Sequence, residues 1–123
     1  MIFLSKAAIR YAVDVCQERE RHRIGIAIHG EDKRNDMHEL ILSMISDSDY
    51  IERIRDSKYN FEIYFKNGSV IKFIYPSDNA RGNRWHLLIA DKEIPMDIIQ
   101  NVLKRCEILD WYEYQFEQMN IKD

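Results

Sequence analysis

The chain is poor in the residues that break or staple a polypeptide. Its 123 residues include only four glycines, two prolines and two cysteines. So little Gly and Pro excludes a collagen-like, linker-rich or low-complexity chain. Cys16 and Cys106 lie far apart, each inside an apolar helical pattern, and make neither a disulfide framework nor a zinc site; buried thiols in a reducing cytosol are expected. Apolar runs are short as well. Met1-Ile2-Phe3-Leu4 gives way to Lys6 and Arg10, too soon for a signal-peptide core or a membrane span, so a cytoplasmic protein without a membrane partner is expected. Charge of one sign is also lacking. Eighteen Lys and Arg against 21 Asp and Glu leave a net −3, which gives no global attraction to nucleic acid and leaves room only for a local basic patch. His22, His29, His38 and His86 show no ligand spacing, so no metal or other cofactor is expected. No Ser/His/Asp or Cys/His nucleophile arrangement is legible.

What is present is an ordinary globular balance, 46% hydrophobic and 32% charged. The length suits a single domain, residues 1–123, around one core. Hydrophobic periodicity predicts a helix from Ser5, a plausible N-cap, to about Arg21, with Ala8, Ala12, Val15 and Cys16 on one face. Ile24-Gly25-Ile26-Ala27-Ile28 reads as a strand with isoleucines on one face. Its small residues on the other face let a helix pack closely, and its lack of polar alternation suits a parallel strand covered on both sides. His29-Gly30-Glu31-Asp32 is the following turn. A second helix is expected from about Lys33 to Ser46, and Tyr50-Ile51 to Arg55 reads as a further short turn of helix. Phe61–Phe65 and Val70–Ile74 flank Asn67-Gly68, which predicts a hairpin with a two-residue type I′ turn pairing Lys66 with Ser69 and Phe65 with Val70. After a loop through Asn83, Trp85–Ala90 is another apolar strand. Pro95 starts a helix that runs to about Leu109. In the acidic aromatic tail, Tyr112, Tyr114 and Phe116 alternate with Glu113, Gln115 and Glu117, which suggests a last strand. The order α-β-α-β-β-β-α-β implies an α/β fold: a small, mostly parallel sheet flanked by helices, with an antiparallel hairpin added.

Several of these features, in this order, resemble the ATPase core of a phage terminase large subunit over residues 4–105. They are the Phe65-Lys66-Asn67-Gly68-Ser69-Val70-Ile71 hairpin, the Asp78-Asn79-Ala80-Arg81-Gly82 loop, and the strand ending Leu87-Leu88-Ile89-Ala90-Asp91-Lys92-Glu93. The resemblance implies a P-loop-ATPase-like core, and the sequence departs from it in two places. Leu4-Ser5-Lys6-Ala7-Ala8 matches only the end of a phosphate-binding loop: Lys6 aligns with the phosphate Lys, Ser5 replaces a Gly and Ala7 replaces the Mg²⁺-binding hydroxyl. The first strand and the Walker A loop are expected to be missing. Asp91 aligns with the Mg²⁺ Asp, but Lys92 stands where the catalytic Glu belongs. Glu93 comes one residue late, which in extended chain would turn it to the other side.

The expectation is therefore a non-catalytic phage or mobile-element protein with no cofactor. It would act by protein–protein contact, as an inhibitor of a host defence or packaging machine or as an assembly factor, with Lys6, Asp91 and Glu93 as ATPase remnants. The candidate partner-binding residues are Arg81 and Arg84, which with His86 form a small positive spot, and Trp111, Tyr112, Tyr114 and Phe116, an aromatic set with an acidic rim that favours a basic or nucleic-acid-binding protein. A homodimer would cover the sheet edge left by a missing strand. Two alternatives stand beside this: an ATP-binding fragment of a split terminase, and a small DNA-binding module using the Arg81/Arg84 loop.

Overall fold

The structure, a computed structural model, describes residues 1–45, 48–56, 61–76 and 84–107. It is an α/β fold with a six-stranded mixed sheet in the order β1-β6-β2-β5-β4-β3. The strands are β1 (Ile2–Phe3), β2 (Arg23–Ala27), β3 (Ile51–Asp56), β4 (Phe61–Phe65), β5 (Val70–Ile74) and β6 (Leu87–Ala90). Strands β1, β6, β2 and β5 run parallel, while β4 pairs antiparallel with both β5 and β3. Helices α1 (Lys6–Glu18) and α2 (Glu31–Met44) share one core with Ile24, Ile26, Ile63, Ile71, Leu87 and Ile89. Helix α3 (Met96–Ile98) continues as a π-helical turn, Ile99–Leu103, and a 3₁₀ turn, Lys104–Cys106. This segment builds a second core with Trp85, Leu88 and Ala90. Alternate residues of one strand feed opposite layers, so the continuously apolar Leu87–Ala90 serves both.

Helix α1 forms as expected. Ser5 Oγ accepts from Ala8 N at 3.0 Å, satisfying one orphan donor of the first turn. The strand before α1 is present after all: Ile2 and Phe3 pair with Ile89 and Ala90. Only Leu4 and Ser5 separate that strand from α1. Met1 is buried beside it, its ammonium against the Glu107 carboxylate.

The helical turn expected at Tyr50–Arg55 is instead a strand. A single 3₁₀ turn, Ser48–Tyr50, leads into β3. Tertiary pairing decides it: Ile51, Ile54 and Asp56 lie opposite Phe65, Ile63 and Phe61, and cross-strand partners outweigh weak local propensity.

The hairpin is where expected but its register differs by one. Tyr64 pairs with Val70 and Ile63 with Ile71. Gly68 N donates to Phe65 O at 3.0 Å, and Phe65 N donates to Ser69 O at 2.8 Å. The loop is thus the three residues Lys66-Asn67-Gly68, and Gly68 alone of them has a positive φ, 87°, the pattern of a tight turn followed by a bulge. Asn67 stays out of the left-handed region, and its side chain reaches α1. Its Nδ2 donates to Cys16 O at 2.8 Å and Arg19 O at 3.2 Å. Ser69 Oγ donates to Arg19 O and accepts from His22 N at 3.0 Å. The hairpin turn therefore caps the carboxyl end of α1, whose last carbonyls have no partner within the helix.

The bare strip on β2 is filled by side chains rather than by a helix. A Cβ on Gly25 would lie 2.5 Å from Ile74 Cδ1 and 2.9 Å from Trp85 Cδ2, so the Trp85 ring lies directly on the strand. Trp85 itself precedes β6 and bridges to Glu107. The helix after Pro95 loses α geometry at Ile99 and, within the described residues, ends at Cys106. It buries Ile99, Val102, Leu103 and Cys106, with Ile98 half-buried. Cys16 and Cys106 are both buried thiols, and burial pushes the Cys16 thiol well above its ordinary pKa. The strand expected near Tyr112–Phe116 lies outside the described residues. Among the described residues, no helix is long and apolar enough to cross a membrane.

Candidate functional site

The chain steps outward from β1 to β2 and on to β3 at the far edge, returns through β4 and β5, and inserts β6 between β1 and β2. Such a reversal leaves a crevice at the carboxyl ends of parallel strands, the usual ligand position in open α/β sheets. Here it is a cleft of about 390 Å³ between the first turns of α1 and α2. Ser5 and Lys6 come from α1, Lys33 and Met37 from α2, and Asp91, Lys92 and Glu93 from the end of β6. The turn into α2 depends on Gly30, whose φ of 102° is costly for residues with a Cβ. Glu31 and Asp32 then favour the positive end of the helix, and Lys33 follows, facing the cleft.

Asp91 is the centre of the cleft and is only 3% exposed. Each of its oxygens accepts two hydrogen bonds. Oδ1 takes Lys33 Nζ at 3.0 Å and Glu93 N at 3.1 Å. Oδ2 takes Lys33 Nζ at 2.8 Å and His29 N at 3.3 Å. Burial alone would raise this carboxyl's pKa. The Lys33 hydrogen bond and the Glu93 and His29 N–H groups outweigh it and hold the carboxyl below its ordinary value. The same contact, led by the Asp91 hydrogen bond, raises the pKa of Lys33.

The sequence places Lys6, Asp91 and Glu93 as remnants of one site, and the structure brings all three to this cleft. Glu93 is not turned away. Asp91 to Ile94 is a tight turn, with Ile94 N on Asp91 O at 3.2 Å, so the alternation of extended chain does not apply. Glu93 Oε2 comes within 3.4 Å of Lys33 Nζ. Lys33 is the residue that sequence reasoning missed. From the sequence it is only the expected start of the second helix, although a first-turn residue of the helix after β2 arrives at the sheet edge where β6 ends.

Of the positive spot expected around Arg81, Arg84 and His86, Arg84 and His86 are among the described residues. Arg84 is exposed, and its Nη1 donates to Arg105 O at 2.7 Å. His86 stacks on His22, with ring centroids 4.5 Å apart and planes at 19°. Its Nδ1 accepts from Arg23 N at 3.0 Å. Burial first, then Arg23, lowers the pKa of His86. For His22, burial first, then His86 and Arg19, brings the pKa down to about 4. Arg81, Trp111, Tyr112, Tyr114 and Phe116 lie outside the described residues. Among the described residues no cluster of three His, Cys, Asp or Glu has the arrangement of a metal site.

Comparison of the chain with family models, curated proteins and solved structures returns no match.

Proposed function

We propose that this chain works by binding another protein rather than by catalysis, as a phage or mobile-element factor on a terminase-like scaffold. Its role would be to inhibit a host defence or a packaging machine, or to assist assembly. The observation that supports the non-catalytic half is the saturation of Asp91. A carboxylate offers about four acceptor positions, and Lys33, His29 and Glu93 take all four. The Lys33 ammonium neutralises Asp91 through both oxygens, at 3.0 and 2.8 Å, so a cation would have to displace it to use that carboxylate. The binding half draws on the exposed outer strand β3. Calorimetry with Mg²⁺ and ATP tests the reading: no heat is expected up to millimolar nucleotide. A saturable heat accompanied by phosphate release would overturn it.

A second reading, the ATP-binding fragment of a split terminase, is favoured by one observation, the meeting of Lys6, Asp91 and Glu93 in the same cleft. The same titration separates the two.

A further inference from the structure

Strand β3 ends the sheet, and among the described residues nothing pairs with its outer edge. In an antiparallel ladder, alternate residues direct their backbone groups to the neighbour and the others direct them outward. Such an edge is a template for another strand unless something guards it. Its side chains are exposed from Glu52 to Asp56, and Ile51 is half-buried.

The two faces of β3 differ in chemistry. Ile51, Ile54 and Asp56 lie on the face of Phe65, Ile63 and Phe61. Ile51 packs on the main core, and Asp56 lies 3.5 Å from His38 of α2. Ile54 remains 43% exposed there, an apolar contact point with nothing beyond it on β3. Arg53 and Arg55 lie on the opposite face, beside Tyr64 and Glu62. Arg53 sits 4.3 Å over the Tyr64 ring. Glu62 is already held by Tyr64 and by Lys72, the latter at 3.2 Å. This face therefore carries two arginines in one row, Arg53 over Tyr64 and Arg55 sharing Glu62 with Tyr64 and Lys72.

This pattern discriminates among occupants. A two-fold pairing of β3 with its own copy keeps each residue opposite one of the same face. Ile54 opposite Ile54 then forces Arg53 against Arg55, in the regular part of the strand beyond the bulge at Glu52. A shift by one pair sets Arg53 against Arg53, and a shift the other way sets Arg55 against Arg55. Like charges directly opposite each other destabilise a ladder, so β3 is guarded against itself. A strand that alternates acidic and apolar residues meets no such conflict: its acids face Arg53 and Arg55 while its apolar side chains cover Ile54.

We propose that the outer edge of β3 is a docking site for an extended segment of a partner protein that alternates acidic and apolar residues, added as a seventh strand. This deepens the protein-binding reading and rests on it. Main-chain bonds would supply affinity, and the Arg53/Arg55 row would supply selection.

The test is nuclear magnetic resonance of the ¹⁵N-labelled full chain with a synthetic ten-residue peptide alternating Glu and Val. Saturable shifts confined to β3 and its β4 neighbours are expected. A Lys/Val peptide and a peptide N-methylated at alternate backbone nitrogens should each bind at least tenfold more weakly. The double variant Arg53→Glu, Arg55→Glu should reverse the preference and take the Lys/Val peptide. Equal binding of both peptides, undiminished binding after N-methylation, or no shift at millimolar peptide overturns the proposal. So does self-association of the chain through β3 or through its own residues 110–118 in place of peptide. None of these failures bears on the nucleotide titration, which tests catalysis independently.

Discussion

Replacing Lys33 by Met removes two of the four hydrogen bonds on a carboxylate that is almost fully buried. The alkyl stem that lines the cleft is largely kept, so the loss is electrostatic. Charge-assisted hydrogen bonds contribute roughly 1.5–3 kcal/mol. The Lys33 side chain is 34% exposed, and solvent screening places the expected loss near the low end, about 2 kcal/mol at pH 7. Urea unfolding followed by circular dichroism reads it directly. The pH dependence distinguishes this cause from a packing defect. Asp91 has a folded pKa below its ordinary value. The stability it contributes is present above the unfolded carboxylate pKa, about 3.9, and is lost as pH falls through the folded value. In Lys33→Met the carboxyl keeps its burial and loses its cation, so it takes up a proton at higher pH. The gap between variant and wild type should therefore narrow steadily on acidification. Asp91→Asn should lose stability alone, and the double variant should lose less than the sum of the singles, with a coupling of about 1–2 kcal/mol. Additive losses, or a gap that is the same at pH 7 and pH 4, would refute the saturated-carboxylate account.

Gly25→Ala should destabilise by about 1–3 kcal/mol, because the new methyl meets Trp85 at 2.9 Å and overpacking outweighs the entropy gained by removing a glycine; Ile74→Val in that background should recover part of it, as read by thermal unfolding and Trp fluorescence. Asn67→Ala should cost about 1–3 kcal/mol by uncapping Cys16 O and taking one of two donors from Arg19 O, which keeps Ser69, with faster amide exchange in the last turn of α1 and little change near Asp91. His22 has a folded pKa of about 4, below its ordinary value of about 6.5, so the unfolded chain takes up the proton first and stability should fall by roughly 1–3 kcal/mol between pH 6.5 and pH 4. His22→Gln should flatten that window in urea titrations across the pH range.

Much of this architecture is legible from hydrophobic pattern alone. The α1 face, the apolar β2 and β6 strands, the hairpin and the Pro95 helix start all follow from local periodicity and turn chemistry. The errors share a cause in long-range contacts. β3 reads as a helical turn because Ile51-Glu52-Arg53-Ile54 has no strand alternation, and only pairing with β4 extends it. The hairpin register is set by Asn67 and Ser69 reaching to α1, where an isolated Asn-Gly signal favours a shorter loop. Gly25 shows that something packs closely but not that it is an indole. In the cleft, the two carboxylates and Lys6 are visible as residues, whereas their neutralisation by Lys33 depends on two helix starts converging at one sheet edge.

The cap that Asn67 and Ser69 place on α1 also constrains the order of events during synthesis. The helix leaves the ribosome with its carboxyl end unfinished, because the groups that complete it lie roughly fifty residues later in the chain. At about 5–20 residues per second this is a delay of roughly 3–10 s. Through that interval the nascent amino-terminal segment holds an incomplete helix and an uncovered apolar face. Translation past the hairpin completes the end of α1, but the sheet closes only when β6 inserts between β1 and β2, so a pause placed before residue 69 would lengthen the time the helix end stays unfinished.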